Sequence, residues 1–292
     1  MSPYSSRAEL EKFVRQLAAA GFDGVGMFVW SIPIVIDMFG SFGNYVAYLK
    51  ERGLAGGVVD IFWASPTATP VAAPHRRETH DGLAAMLGRF VETVAGHGVE
   101  NLVVMPTNAY RDMEPVTDDF IAAIAELWNR VGRHASEHGL KLGSHHEFWG
   151  GIRTLEQIDR FYELATPGDV HLFIDTAQHV IAEVDPVALY HRYHDRVSGF
   201  HFKDTRHVDR AGDYRSTPDA ELVASTTRRW FYEMGTPGGL VDFPAMMQAL
   251  KAHNYQGWVG VEHDKADIDG NYAESTALAM WYARRALEPI YR

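Results

Sequence analysis

The sequence predicts an α/β fold, a (β/α)8 TIM barrel, on three observations. Short apolar runs alternate with longer amphipathic ones, several amphipathic runs end in glycine just before the next apolar run, and the 292-residue length suits one such barrel.

The apolar runs that read as strands are 24–30, 57–63, 101–106, 141–148, 170–175, 197–204 and 257–264. Helical periodicity falls between them at 6–20, 41–52, 81–98, 118–138, 155–164, 186–195 and 243–253, and a last helix runs from 272 to about 287. Gly21, Gly53, Gly98 and Gly139 stand where a left-handed cap turns a helix back into the sheet. Eight helices face only seven strands, because the chain enters a helix almost at once, so the first strand is short or missing. Either a strand lies upstream of the given start, or the residues before Ser6 are too few to complete the ring. No glycine-rich G-x-G-x-x-G turn or phosphate-binding P-loop supports a doubly wound open sheet instead.

Residues 1–292 are expected to form a single barrel domain with no linker or repeat. Two segments break its rhythm. Residues 65–79 read as a long loop, and 206–239 read as a lid-like insertion that carries Trp230, Phe231 and Tyr232 before Thr236-Pro237-Gly238-Gly239.

Composition narrows the chemistry. Cysteine is absent, which leaves oxygen and imidazole as metal ligands. A net charge of −11 opposes binding to nucleic acid or anionic lipid. No apolar run reaches membrane-spanning length and no signal-peptide pattern opens the chain, so a cytoplasmic location and no membrane partner are expected. Fifteen His and seven Trp exceed packing needs and suit pockets for metals and sugars.

Polar residues gather at the carboxyl ends of the later strand runs, where barrel enzymes place their catalytic groups. Glu147, Asp175, His201 and Glu262 each follow apolar or β-branched residues, so each would be costly to bury without a partner. Three converging carboxylates repel one another, and a divalent cation removes that penalty. The set fits one ion, with Mn2+ favoured and Mg2+, Co2+ and Zn2+ the alternatives. Singly, Asp175 also reads as a helix N-cap, His201 as a core histidine and Glu262 as a rim ion-pair partner; for all four residues, Glu147 included, such readings require four coincidences at one barrel end.

The segments His145-His146-Glu147, Ile174-Asp175-Thr176, Gly199-Phe200-His201-Phe202-Lys203-Asp204 and Val261-Glu262-His263 resemble the xylose isomerase-like superfamily of sugar isomerases, epimerases and dehydratases. The motifs span residues 141–264, and 235–243 with the His-Phe-Lys-Asp strand is most similar to the branch of inosose dehydratase and the larger subunit of C-glycoside deglycosidases. The resemblance implies that Glu147, Asp175, His201 and Glu262 bind one divalent ion and that Glu147 or Glu262 is the base. One departure stands out: where many members have His three residues after the metal-binding Asp, this chain has Gln178, with His179 next to it. Gln at 178 can hydrogen-bond a sugar hydroxyl but cannot exchange a proton near neutral pH.

His145 and His146 join the two glutamates as catalytic candidates, both better suited to supporting positions. Strand alternation turns His145 to the side of Glu147 and His146 toward the helices, which ranks His145 first. Gln178, Lys203, Trp30, Trp149 and His263 are the substrate-binding candidates, with Lys203 and Asp204 alternatively closing the rim as an ion pair; Trp63 and Trp149 also read as core. Proton removal next to a polarised carbonyl gives an enediolate. The branch resemblance favours subsequent β-elimination from a keto-sugar, keto-inositol or 3-oxo-glycoside, with isomerisation or 3-epimerisation on the same site as the alternative. A metal-cluster nuclease and a non-catalytic subunit are the competing classes, the first disfavoured by charge. A homo-oligomer or a small auxiliary subunit, the latter implied by the C-deglycosidase relatives, would shield an open sheet edge. The apolar tail at Leu287 to Tyr291 would either meet a second subunit or cover the barrel bottom.

Overall fold

The computed structural model describes residues 6–64, 73–107, 115–210, 230–262 and 271–292. Its centre is a seven-stranded parallel sheet in chain order: β1 Gly24–Phe28, β2 Gly57–Trp63, β3 Asn101–Val104, β4 Lys141–His145, β5 Val170–Asp175, β6 Val197–Phe202 and, after a hairpin, β9 Val259–Val261. The hairpin pairs β7 Asp204–Thr205 antiparallel to β8 Phe231–Tyr232. Helices α1 Arg7–Ala20, α2 Ile32–Phe39, α3 Phe42–Glu51, α4 His80–Val94, α5 Asp118–Glu137, α6 Leu155–Leu164, α7 Thr176–Ile181, α8 Pro186–Tyr193, α9 Phe243–Ala252 and α10 Tyr272–Tyr282 link or flank these strands.

Local chemistry sets the helix ends. Ser6, Ser41, Thr117, Thr154, Asp175 and Asp242 each accept a backbone N–H in the first turn of the following helix, and Thr154 with Gln157 completes a capping box. Gly21 ends α1 at φ 91°, donating to Leu17 and Ala18 carbonyls, and Gly53, Gly98 and Gly139 also adopt positive φ. Along α5, Ile121, Ile124, Trp128, Val131 and Ala135 repeat at three- and four-residue spacing and are buried against the sheet.

The barrel is closed imperfectly. Among the described residues the outer strands are β1 and β9, and no backbone ladder joins them. Trp258, just before β9, reaches across the bottom of the barrel: its Nε1 donates to Glu100 Oε1 at 2.8 Å, and a Cβ on Gly56 would stand 2.6 Å from its ring. A side chain thus bridges the bases of β2, β3 and β9. Higher in the barrel, Phe173 fills the interior, and a Cβ on Gly199 would lie 2.3 Å from its ring. Glycine at 199 is therefore a requirement of packing.

The seven strand runs all form, five of them with earlier ends, while Gly57–Trp63 and Val170–Asp175 keep the expected bounds. The first stops at Phe28 and passes into a 3-10 turn at Val29–Ser31, the fourth stops at His145, and the last is cut to Val259–Val261. Helices α2 and α7 were not anticipated: Ile32–Phe39 carries an apolar run without helical spacing, and α7 is a short turn started by the Asp175 cap. The 65–79 loop and the 206–239 insertion fall mostly outside the described residues; their described parts include a 3-10 turn at Arg77–Thr79 and strand β8, which pairs with β7. Arg153 anchors the insertion's stem through a buried ion pair, Nη1 to Asp209 Oδ2 at 3.0 Å. Of the two readings for the tail, Tyr291 hydroxyl bonds the Tyr255 carbonyl after α9, at the bottom of the barrel. No single described helix is long and apolar enough to cross a membrane.

Candidate metal centre

The carboxyl ends of parallel strands meet at one end of a barrel, and here His145 and Asp175 close β4 and β5, His201 is next to last in β6 and Glu262 directly follows β9. One ligand-type atom from each of these four lies within 4.8 Å of the others. His201 Nδ1 stands 3.1 Å from Glu262 Oε2, 3.2 Å from His145 Nε2 and 4.0 Å from Asp175 Oδ2. His145 Nε2 is 3.4 Å from Asp175 Oδ2, and its Nδ1 is 3.1 Å from Glu147 Oε1.

Asp175 serves two purposes with its two oxygens. Oδ1 caps α7 by accepting the Gln178 N–H at 2.9 Å, which turns Oδ2 toward His145, His201 and Lys203. The N-cap and ligand readings of this residue are therefore compatible. Thr176 ties the ends of β5 and β6 together: its hydroxyl donates to the Lys203 carbonyl at 2.6 Å and accepts the Lys203 N–H at 3.0 Å.

Lys203 is 1% exposed, and its Nζ lies 2.6 Å from Glu262 Oε2 and 3.0 Å from Asp175 Oδ2. Two residues after His201 it shares that residue's side of the strand, so the alternative pairing with Asp204 does not occur. Asp204 instead accepts the Thr205 and Val241 N–H groups.

These contacts set the charges. Burial by itself would raise the Asp175 carboxyl, but Lys203 and His145 bring it below its ordinary range; for Glu262 burial is likewise outweighed by His201 and Lys203, which hold it well down. Burial works against charge on His145, yet Glu147 and Asp175 on either side push it up to about 10. The cluster thus balances its carboxylates with an imidazolium and an ammonium. Asp175 Oδ2 is inaccessible to solvent and makes ionic contacts without hydrogen-bond geometry. Two carboxylates and two imidazoles this close form a donor set suited to a hard or borderline divalent cation.

The remaining candidates are distributed around this point. Glu147 is buried and reaches the group through His145, so His145 takes the place among the four converging residues that was expected for Glu147. His146 is not brought to the group: it faces α6, packed edge-on to Phe161 and Tyr162, and burial with His179 nearby keeps it neutral. Gln178 is buried and accepts the Phe148 N–H at 3.2 Å, while His179 Nδ1 donates to the Asp175 carbonyl at 2.7 Å. His263 lies outside the described residues.

Two aromatic chains lead away from the cluster. Phe62 lies 5.3 Å from the His145 ring and 5.3 Å from Phe28, on which the exposed Trp30 stacks at 4.3 Å. In the other, the Lys203 ammonium sits 4.1 Å over Phe231, which meets Trp149 at 6.2 Å and Phe148 at 6.3 Å. Trp63 is core, against Trp128. Phe62 escaped the sequence reading, although its place two residues after Asp60 in a strand turns both to the barrel interior.

A family model described as Xylose isomerase-like TIM barrel matches residues 14–283. The chain is 29% identical over 187 residues to an inosose dehydratase of Lacticaseibacillus casei, covering 64% of this chain and 61% of that protein. It is 31% identical over 183 residues to an inosose dehydratase of Bacillus licheniformis, covering 62% of this chain and 59% of the relative. The match thus spans about three fifths of these relatives' length. Among solved structures, L-ribulose 3-epimerase superposes with a TM-score of 0.76 at 16% identity, covering 99% of this chain and 92% of that one. A probable 3-DHS dehydratase of Bacillus anthracis gives 0.71 at 11% identity, covering 94% and 93%.

Proposed function

Because the chain belongs to the xylose isomerase-like TIM barrel family, we propose that it is a divalent-metal-dependent enzyme acting on a keto-sugar, keto-inositol or 3-oxo-glycoside. It takes the proton next to the substrate carbonyl and completes a β-elimination, as a dehydratase or C-deglycosidase type of lyase. The observation that carries this reading is the convergence of His145, Asp175, His201 and Glu262 within 4.8 Å at the carboxyl end of the barrel. The relatives named inosose dehydratase favour elimination.

Asp175, His201 and Glu262 would hold the ion, with His145 or Glu147 as the fourth ligand, and Mn2+ is the first choice over Mg2+, Co2+ and Zn2+. An ion held by these residues would supply polarisation of the substrate carbonyl and its neighbouring hydroxyl. Glu262 or Glu147 accepts the carbon-bound proton on a carboxylate oxygen. Lys203 presents its ammonium to a substrate oxygen, and Gln178 offers its amide nitrogen to a hydroxyl. Trp30 and Trp149, at the ends of the two aromatic chains, pack against the sugar face or an aromatic aglycone. His145 hands charge between Glu147 and the ligand group, and His146 holds the loop after β4 against α6.

The whole chain acts as one catalytic domain, with a second copy or a small auxiliary subunit against the open side of the sheet. The alternative reading, isomerisation or 3-epimerisation, is supported by the fold shared with L-ribulose 3-epimerase. A proton-exchange assay in heavy water with a panel of keto-sugars and keto-inositols tests the proposal. Deuterium entering one carbon next to the carbonyl, dependent on Mn2+, supports it; release of water or an aglycone marks elimination, and recovery of an epimer or an aldose marks the alternative. No exchange with any substrate and no metal uptake would leave the non-catalytic subunit.

A further inference from the structure

The strands of a barrel begin where the preceding helices end, so α4 and α5 place their C-terminal turns at the bottom of the barrel, away from Glu262. There, Glu92 of α4, His134 in the last turn of α5 and His138, the residue that caps α5, bring one ligand-type atom each within 4.8 Å of the others. We propose that these three residues form a second cation site, for Zn2+ or a similar imidazole-binding divalent ion, which clips α4 to α5.

His134 and His138 are one turn apart and share a helix face, with ring centroids 4.4 Å apart. His138 Nδ1 lies 2.9 Å from the His134 carbonyl. A carbonyl only accepts, so Nδ1 carries the proton and the Nε2 lone pair is left for a ligand bond, the orientation that a metal-binding histidine is given by its outer partner. His134 Nε2 is inaccessible to solvent and 3.3 Å from Glu92 Oε1, outside hydrogen-bond geometry. An ion between the two atoms would satisfy both.

The backbone makes room for this arrangement. Gly88, one turn before Glu92, would bring a Cβ within 3.2 Å of His134 Nε2, so glycine allows the imidazole to lie against α4. Both helices also end here, and the partial negative charge of two helix C-termini favours a cation. Two imidazoles, one carboxylate and a water complete a tetrahedral set. Among the described residues, a further surface histidine group, His191, His194 and His253, is satisfied internally, with His191 Nδ1 bonded to His253 Nε2 at 2.9 Å.

Chelator-treated full-length protein titrated with Zn2+ by calorimetry tests the clip. Because a barrel cluster that binds metal as proposed above would also take Zn2+, the comparison is made on an Asp175→Asn background. That variant is expected to bind one Zn2+ with a Zn2+-dependent rise in Tm, and to lose both when His134→Ala and His138→Ala are added. Glu92→Gln, an exposed change that leaves both histidines in place, is expected to weaken Zn2+ at least about tenfold. Equal Zn2+ uptake with and without the two histidines, or no uptake on the Asp175→Asn background, overturns the proposal whatever the barrel cluster does.

Discussion

The Lys203 ammonium bridges two carboxylates, 2.6 Å from Glu262 Oε2 and 3.0 Å from Asp175 Oδ2, at the point where the four candidate ligands meet. A lysine so placed does for the metal-free protein what a divalent ion would do for the loaded one: it offsets the repulsion of buried anions.

Lys203→Met should therefore cost the metal-free protein about 3–5 kcal/mol, the usual result of stripping one partner from a buried ion pair. Much of that loss should return on adding Mn2+, because the ion restores positive charge beside Asp175 and Glu262. Urea denaturation in chelator and in excess Mn2+ measures both. A loss that is the same in the two conditions would mean that no ion enters among these carboxylates.

Metal binding should release a proton. His145 is held up to about 10 by Glu147 and Asp175, so it carries its proton at pH 8 in the metal-free protein. An ion that neutralises those carboxylates removes the cause of the shift, and His145 then deprotonates. Calorimetric titration of Mn2+ at pH 8 in two buffers of different ionisation enthalpy is expected to show about one proton released, and His145→Gln to show none.

Asp60, buried on β2 and bonded by Asn101 Nδ2 at 2.7 Å, is raised by burial from 3.8 to about 6. Its folded value lies above its unfolded one, so the unfolded chain gives up the proton first as pH rises. Stability contributed by the neutral acid falls between pH 4 and 6 and stays lost above. Asp60→Asn keeps an acceptor for Asn101 and should be more stable than the native protein at pH 8, by about 3 kcal/mol on the conversion of one unit to about 1.4 kcal/mol. The advantage should vanish at pH 3.5 in parallel urea titrations. An advantage independent of pH would show that Asp60 does not carry it.

Strand positions were legible because burial on both faces writes near-continuous apolar runs such as those before Asp175 and through Gly57–Trp63. The gathering of Asp175, His201 and Glu262 was legible for the same reason: a carboxylate or imidazole closing an apolar run has to sit at a strand's carboxyl end. Distances between side chains from different strands were not. Sequence alone could not show that His145, rather than Glu147, stands among the converging atoms, or that Lys203 turns to Glu262 and leaves Asp204 to backbone N–H groups. Helix α2 was missed because Ile32–Phe39 is apolar on nearly every side, which hides the helical period. The histidine spacing of four at His134 and His138 was visible, but its partner Glu92 comes from another helix and only packing brings it near.

Whether the barrel cluster grips a divalent ion is decided by metal content after Mn2+ loading and desalting, native against Asp175→Asn. Asparagine caps a helix about as well as aspartate, so α7 and the fold are retained while one ligand charge is lost. About one Mn2+ per native chain is expected, with close to none in Asp175→Asn at an unchanged circular dichroism spectrum. Equal Mn2+ in the two proteins, or none in either, would rule out such a grip.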